Sequence, residues 1–432
     1  MTQLRLSHDL SLHLPLHRKD SVIHRSSTLA LLTAGLVALT ACSGAPSDTD
    51  TTASSTGDGH GRVEGASEVA EPRLGLTTVG PDGVVQHLDL LDGSVADIAE
   101  VPRPRALTTD GRYLFSEGDA GITIVDSGRW TWDHVDHFHY YRAEPRTVGA
   151  IAGTGPVAVA TTNSSTTGGT GLFFAGSGDA VLLDTEALSH GELVDRFRLS
   201  VEPHDGLVVP VGSFALVSDP QSGGGSLSAY TADGDPVTDR TIECAAPAGT
   251  ITTRVGAVVG CRDGAVLATA EDGSLSLEKI AYPADATAPP ATAFAAREGR
   301  PTVAALAGDQ GIWLLDTRER SWTLLPAPAP LVSVTAVDDE DGHLLALGAD
   351  GRVLVLDAAT GAVRAETVPL LDATLRSPEA LAGVELIADQ QRAYVNAPLE
   401  RKLYEIDFAD GARIARTFET AADASFLAET GR

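Results

Sequence analysis

Six times along this chain a short apolar strand closes on an aspartate and is followed by a turn. The copies are Val85–Asp89, Ile122–Asp126, Val181–Asp184, Ile312–Asp316, Val353–Asp357 and Leu403–Asp407. Degenerate copies stand at Ser226–Tyr230 and Ala265–Thr269, and successive copies lie 37 to 58 residues apart. Helical signatures are scarce after Pro72, whereas alternating strands punctuated by Asp-Gly, Gly-Asp and Gly-Ser turns run the whole way. A repeat of four-stranded size sustained over the full length is the mark of an all-β fold of the β-propeller type. Eight copies predict seven or eight four-stranded blades, one copy belonging to a blade shared by the two termini if there are seven. Residues Ala424–Ala428 are placed to pair with the first strands after Pro72 and close the ring. A pair of β-sandwiches is the architectural alternative, but it does not account for a repeat of this extent.

Residues 1–41 read as a targeting segment. Arg18, Lys19 and Arg25 precede an apolar run from Leu29 to Leu39, too short for a stable membrane span. Leu39-Thr40-Ala41-Cys42 resembles the lipobox of bacterial lipoproteins, which implies cleavage before Cys42 and acylation of that cysteine, enough for lasting attachment. From residue 42 to 71 the composition turns to Ser, Thr, Gly, Asp, Ala and Glu, too poor in large apolar side chains to offset ordering entropy. A disordered tether is predicted there, with the propeller domain spanning 72–432. It places the folded part at the extracytoplasmic face of a cell membrane, held by the lipid anchor only.

The formal charge of −28, with only three lysines, argues against nucleic-acid partners and for a soluble body, expected to be a monomer. Apart from Cys42 there are two cysteines, Cys244 and Cys261. In an oxidising compartment they are expected to form a disulfide worth about 3 kcal/mol in the chain-entropy picture. The alternative is a pair of free thiols contributing to a metal site.

The stretch Trp132-Asp133-His134-Val135-Asp136-His137-Phe138-His139-Tyr140-Tyr141 holds three of the twelve histidines. Imidazole and carboxylate are what Zn²⁺ prefers where thiolate is absent. In an extended strand His137 and His139 share one face, and His134 joins them only if the chain bends near Val135. Asp133 and Asp136 are placed to orient the rings or to ligate directly. His204, opening an apolar strand in Pro203-His204-Asp205-Gly206, is a fourth candidate, while His87, His190 and His343 read as surface or hydrogen-bonded residues. The competing reading of the cluster is an aromatic patch built on Trp130, Trp132, Phe138, Tyr140 and Tyr141 that locks neighbouring blades.

Ser127–Arg142, the Pro-His-Asp-Gly strand and the Gly-Cys-Arg-Asp-Gly around Cys261 together resemble the secreted zinc metallochaperones that accompany Azt-type zinc ABC transporters. That resemblance implies a propeller that holds Zn(II) and passes it to the transporter's solute-binding protein. Carried over by motif, the ligands are His134, His137, His139 and His204, with Asp133 or Asp136 as oxygen donor. Two departures stand out. The tether offers only His60 where the family carries a histidine-rich stretch, and Ala-Ala-Pro-Ala-Gly after Cys244 lacks a histidine. Such a site is expected to lose metal in acid, since imidazole must be unprotonated to bind. The alternative from another class is a cell-envelope propeller scaffold that binds a protein partner without metal. An enzyme is not expected: His-Glu-x-x-His, Gly-x-Ser-x-Gly and phosphate-loop patterns are missing, and Ser276-x-x-Lys279 falls on an alternating strand.

Overall fold

Each copy of the strand-and-aspartate phrase forms a strand of a separate antiparallel sheet, so the repeat counts blades one by one, and there are eight. The computed structural model describes residues 61–134, 136–220 and 225–432. The expected targeting segment, Cys42, His60 and most of the expected tether lie outside the described residues. Among those described, no helix is long and apolar enough to cross a membrane.

The terminal aspartate recurs because it caps the turn that follows. Asp126 Oδ1 accepts from the Gly128 N–H at 2.9 Å, Asp316 Oδ1 from Arg318 at 2.8 Å, and Asp357 Oδ1 from Ala359 and Thr360 at 3.0 and 2.9 Å. A short side-chain acceptor satisfies backbone donors that the turn would otherwise leave orphaned. The apolar run before it is buried on both sides because neighbouring sheets pack face to face. Ile312, Trp313 and Leu315 are 0 % exposed, and Trp313 and Leu314 serve different core clusters, one on each side of the sheet. Each such aliphatic burial contributes roughly 1.5–3 kcal/mol.

Seven sheets have four strands. The sixth has three, Thr302–Leu306, Ile312–Asp316 and Ser321–Leu325, with an isolated antiparallel bridge Ala295↔Ala304 standing in for its first strand. The Pro- and Ala-rich run of residues 282–296 supplies too few β-branched side chains, and too few backbone donors, for a full strand there. In the first sheet Phe426–Thr430 pairs with Gly75–Val79, from Val79↔Phe426 to Gly75↔Thr430, so the two ends of the propeller share one blade as predicted. The seam is pinned by Thr77 Oγ1, which lies 3.0 Å from both Thr430 Oγ1 and His87 Nδ1. The Cys244–Cys261 disulfide is present. It ties the connection after the fourth sheet to strand Ala257–Cys261 of the fifth and is fully buried, which removes the free-thiol reading.

A ninth sheet is not a blade. Between the third and fourth strands of the second blade, Gly121–Asp126 and Arg146–Ala152, the chain inserts a hairpin of Arg129–Asp133 and Phe138–Arg142. Its outer edge receives Ser67–Val69, with Glu68 opposite Tyr141. Val63 and Ala66 are buried against Trp130 and Tyr141, and Trp130 Nε1 donates to the Gly61 carbonyl at 3.0 Å. The expected tether therefore ends earlier than residue 71. Its last eleven residues are ordered by an aromatic platform supplied from elsewhere in the chain, a source that their own composition does not reveal. The root of the hairpin is fixed by Arg112, whose guanidinium pairs with Asp126 at 2.8 and 3.0 Å and lies 3.8 Å from the Trp130 ring centre.

Candidate metal centre

Strand alternation and one tight turn decide which side chains meet at the hairpin tip. Register pairs Trp132 with His139 on the face that also carries Trp130 and Tyr141, while Asp133 and Phe138 point the other way. Beyond Asp133 the chain turns: the His134 N–H donates to the His137 carbonyl at 2.8 Å, and the Asp136 N–H donates to the His134 carbonyl at 2.9 Å. This is the bend the sequence required, and it returns His134 to the face of the other two rings. Ring centres are 4.8 Å apart for His134 and His137, 4.6 Å for His137 and His139, and 6.0 Å for His134 and His139.

Two carboxylates set the orientation of these rings. Asp136 Oδ1 lies 2.8 Å from His137 Nδ1 and 3.1 Å from His134 Nδ1, and Glu68 Oε1 lies 2.7 Å from His139 Nδ1. An ionised carboxylate only accepts, so each of these Nδ1 atoms carries a proton, and in the neutral ring that leaves Nε2 with its lone pair. His137 Nε2 and His139 Nε2 then face one another at 2.9 Å, two acceptors with nothing to share unless a proton or a metal ion lies between them. Two imidazole nitrogens on one tetrahedral zinc stand about 3.3 Å apart, so a few tenths of an ångström of opening admits the ion. Hydrogen bonds from His134 and His137 hold the Asp136 carboxyl at about 2, well below the usual carboxylate range, so it stays ionised wherever the rings are neutral. His134, Asp136 and His137 offer ligand atoms that all lie within 4.8 Å of one another, on an accessible part of the surface. A site assembled this way can take up a borderline divalent ion and release it by stepwise ligand exchange.

The structure gathers His134, His137, His139 and Asp136, but not Asp133 or His204. Asp133 fails because its pleat partner is Phe138, which turns it to the opposite face of the ribbon. His204 has both ring nitrogens engaged: Nδ1–H donates to the Glu202 carbonyl at 2.7 Å, and Nε2 accepts from Ser218 Oγ at 2.9 Å. Ser218 in turn accepts from the Leu207 N–H at 2.8 Å, and the imidazole sits edge-on to Phe173, so His204 pins a turn. The aromatic patch is also real, with Trp130 and Tyr141 stacked at 5.3 Å and buried; it builds the base of the hairpin while the histidines occupy its tip. Glu68 is the residue that sequence reading missed. It lies 71 positions from His139 in a segment whose composition predicts a tether, and nothing in that composition marks it.

A second group, Asp339, Asp341 and His343, lies in the turn leading into strand His343–Gly348. Asp339 already receives both the His343 N–H, at 2.8 Å, and its Nδ1, at 2.6 Å, which is the pattern of a turn cap. His87, read from the sequence as a surface or hydrogen-bonded residue, is the latter: it is 2 % exposed and tied to the threonines of the closing seam.

No protein-family model and no curated protein matches this sequence. Solved structures do. AztD from Citrobacter koseri in its apo form superposes with a TM-score of 0.71 at 20 % identity, over 84 % of this chain and 98 % of that one. A second crystal structure of the same protein gives 0.69 at 20 % identity, over 83 % and 98 %. The dihydro-heme d1 dehydrogenase NirN in complex with DHE is more distant, at 0.51 and 16 % identity, over 84 % and 76 %. The Azt-type resemblance read from the sequence is thus matched by architecture, and the chain is a β-propeller with the fold of AztD.

Proposed function

We propose that this protein is an extracytoplasmic zinc metallochaperone. It holds Zn(II) at the hairpin tip through His137 and His139, with His134 beside them, and hands the ion to the solute-binding protein of a zinc ABC transporter. Cys42 is the lipid attachment that keeps it at the cell membrane. The reading rests on one observation above all: the Nε2 atoms of His137 and His139 face each other at 2.9 Å, while the Nδ1 atom of each ring meets a carboxylate on its far side. The exposed tip suits delivery, because a partner's ligands can reach the ion and replace these rings one at a time. An all-thiolate closed site would hold zinc without release.

The rest of the centre serves cargo binding in plain ways. Asp136 and Glu68 orient the rings. Trp132, 5.2 Å from His134 and 5.9 Å from His139 between ring centres, walls one side and limits their rotation. No bond-making chemistry is assigned, and the protein is read as a carrier, not an enzyme.

Competition titration of the full chain with zinc tests the reading. Wild type is expected to bind below micromolar, and His137→Ala to weaken binding by more than about 100-fold, beyond the effect typical of losing an orienting partner. Micromolar or weaker binding left unchanged by His137→Ala would sink it. The scaffold alternative predicts capture of the solute-binding protein that survives chelation, whereas the carrier reading predicts zinc-dependent transfer.

A further inference from the structure

The hairpin that carries the ring cluster is tied to the propeller midway along its first strand as well as at its root. Strand Arg129–Asp133 lies at the edge of its three-stranded sheet, so its outward N–H groups need partners from elsewhere. At Thr131 those partners are the two residues that follow the closing strand Phe426–Thr430. Thr131 N–H donates to the Arg432 carbonyl at 3.0 Å, and Thr131 Oγ1 donates to the Gly431 carbonyl at 2.9 Å. Gly431 is fixed in turn: its N–H donates to the Gly111 carbonyl at 2.7 Å, and its φ is +97°. A Cβ there would lie 2.2 Å from the Arg73 carbonyl oxygen, so the close approach requires glycine.

Arg432 is held by its side chain. The guanidinium stands between carboxylates from two different blades, 3.0 Å from Glu298 Oε2 and 3.3 Å from Glu429 Oε2. Glu429 lies on the closing strand of the first sheet and is 0 % exposed; Glu298 lies just before strand Thr302–Leu306 of the sixth. Among the described residues neither oxygen of Glu429 accepts a hydrogen bond, nor does Glu298 Oε2, so the guanidinium is what offsets their buried charge. Moving it away would strand both carboxylates, which keeps the Arg432 backbone where Thr131 needs it. Thr131 stands opposite Tyr140 in the ladder, and the next pair along is Trp132 with His139. Fixing Thr131 therefore fixes the strand pair that places His139 against His137.

We propose that Arg432 is a positioning residue for the metal centre. Its guanidinium, locked between Glu298 and Glu429, fixes the Gly431 and Arg432 carbonyls that hold Thr131, and so keeps the hairpin tip in the ring arrangement that accepts the ion. Arg432 itself ligates nothing. The inference rests on the carrier reading of the tip and adds that zinc affinity is set in part by charges on the first and sixth blades.

The test is a competition titration of the full chain with zinc, run beside urea unfolding, for Thr131→Val, Arg432→Gln and Arg432→Lys. Thr131→Val removes the bond to Gly431 and leaves the buried charges intact. It is expected to lower zinc affinity about 10-fold, the lower end of what losing an orienting partner costs, with the urea midpoint close to wild type. Arg432→Gln should lower affinity at least as far, and Arg432→Lys, which restores a cation between the two carboxylates, should recover most of it. A purely structural Arg432 would instead shift the urea midpoint and leave zinc affinity at the wild-type value. Wild-type affinity in both Thr131→Val and Arg432→Gln overturns the proposal; if Arg432→Gln does not fold, Thr131→Val decides alone. A wild type that binds no zinc overturns the carrier reading and this inference with it, whereas a wild type and variants that bind equally overturn this inference only.

Discussion

Acidification from pH 7 to pH 5 is expected to weaken the seam that closes the propeller, through His87. Its imidazole is 2 % exposed among Thr77, Thr430 and Gly75, and burial first, then the charge of Arg129, lowers its pKa from 6.5 to about 4. A base whose pKa is lower folded than unfolded is bound by protons more readily when the chain unfolds. Its contribution is therefore neutral above pH 6.5 and turns destabilising as pH falls from there towards 4. With these two values the loss at pH 5 is about 2 kcal/mol, rising towards roughly 3 kcal/mol below pH 4. The steric setting makes relief by ring movement difficult, since a Cβ on Gly75 would already lie 2.1 Å from the ring. Glu429 and Asp110 act in the opposite sense. Burial raises them to about 7 and about 6, so the cost of ionising them is present at neutral pH and is relieved as pH falls. The wild-type curve alone is therefore a sum of opposing trends, and the useful quantity is a difference. Urea unfolding of the full chain and of His87→Asn, which keeps an acceptor near the Nδ1 position, should be compared at pH 7 and pH 5. The variant should lose about 2 kcal/mol less than wild type over that interval. Equal losses in the two proteins would refute the claim that a neutral, buried imidazole holds the seam.

Arg112→Ala should cost about 3–5 kcal/mol in urea unfolding, because buried Asp126 loses its bidentate guanidinium and keeps only the Gly128 N–H and the more distant Arg146, and it should weaken zinc binding by loosening the root of the hairpin. Glu68→Gln should leave the unfolding midpoint almost unchanged but lower zinc affinity about 10–100-fold in a competition titration, since the His139 ring loses its orienting carboxylate. Replacing Cys244 and Cys261 together by alanine should lower stability by about 3 kcal/mol while zinc affinity stays at the wild-type value, the disulfide being remote from the hairpin in sequence and sheet.

Much of this molecule was legible because its repeat has a mechanical cause. An apolar strand buried on both faces and an aspartate that caps the next turn must recur once per blade, so the eight copies are the eight blades. The widest interval between copies, from Asp126 to Asp184, is the one that holds the inserted hairpin. The bend before His137 was also readable, since only a turn brings His134 round to the other rings. What stayed hidden were contacts set by register and by distant segments. Asp133 looked equivalent to Asp136 in the sequence, yet one pleat position sends it to the opposite face. His204 sits in a promising Pro-His-Asp-Gly stretch, but Ser218, fourteen residues on, takes its second nitrogen. Glu68 was invisible because a three-residue strand has no period and is ordered only by docking on Trp130 and Tyr141.

X-ray absorption at the zinc edge on the metal-loaded full chain bears most directly on the proposed carrier role. The predicted spectrum shows a nitrogen and oxygen shell with the outer scattering of at least two imidazoles, and that scattering collapses in the His137→Ala, His139→Ala double variant. A wild-type spectrum without imidazole scattering, or one that the double variant leaves intact, would contradict it.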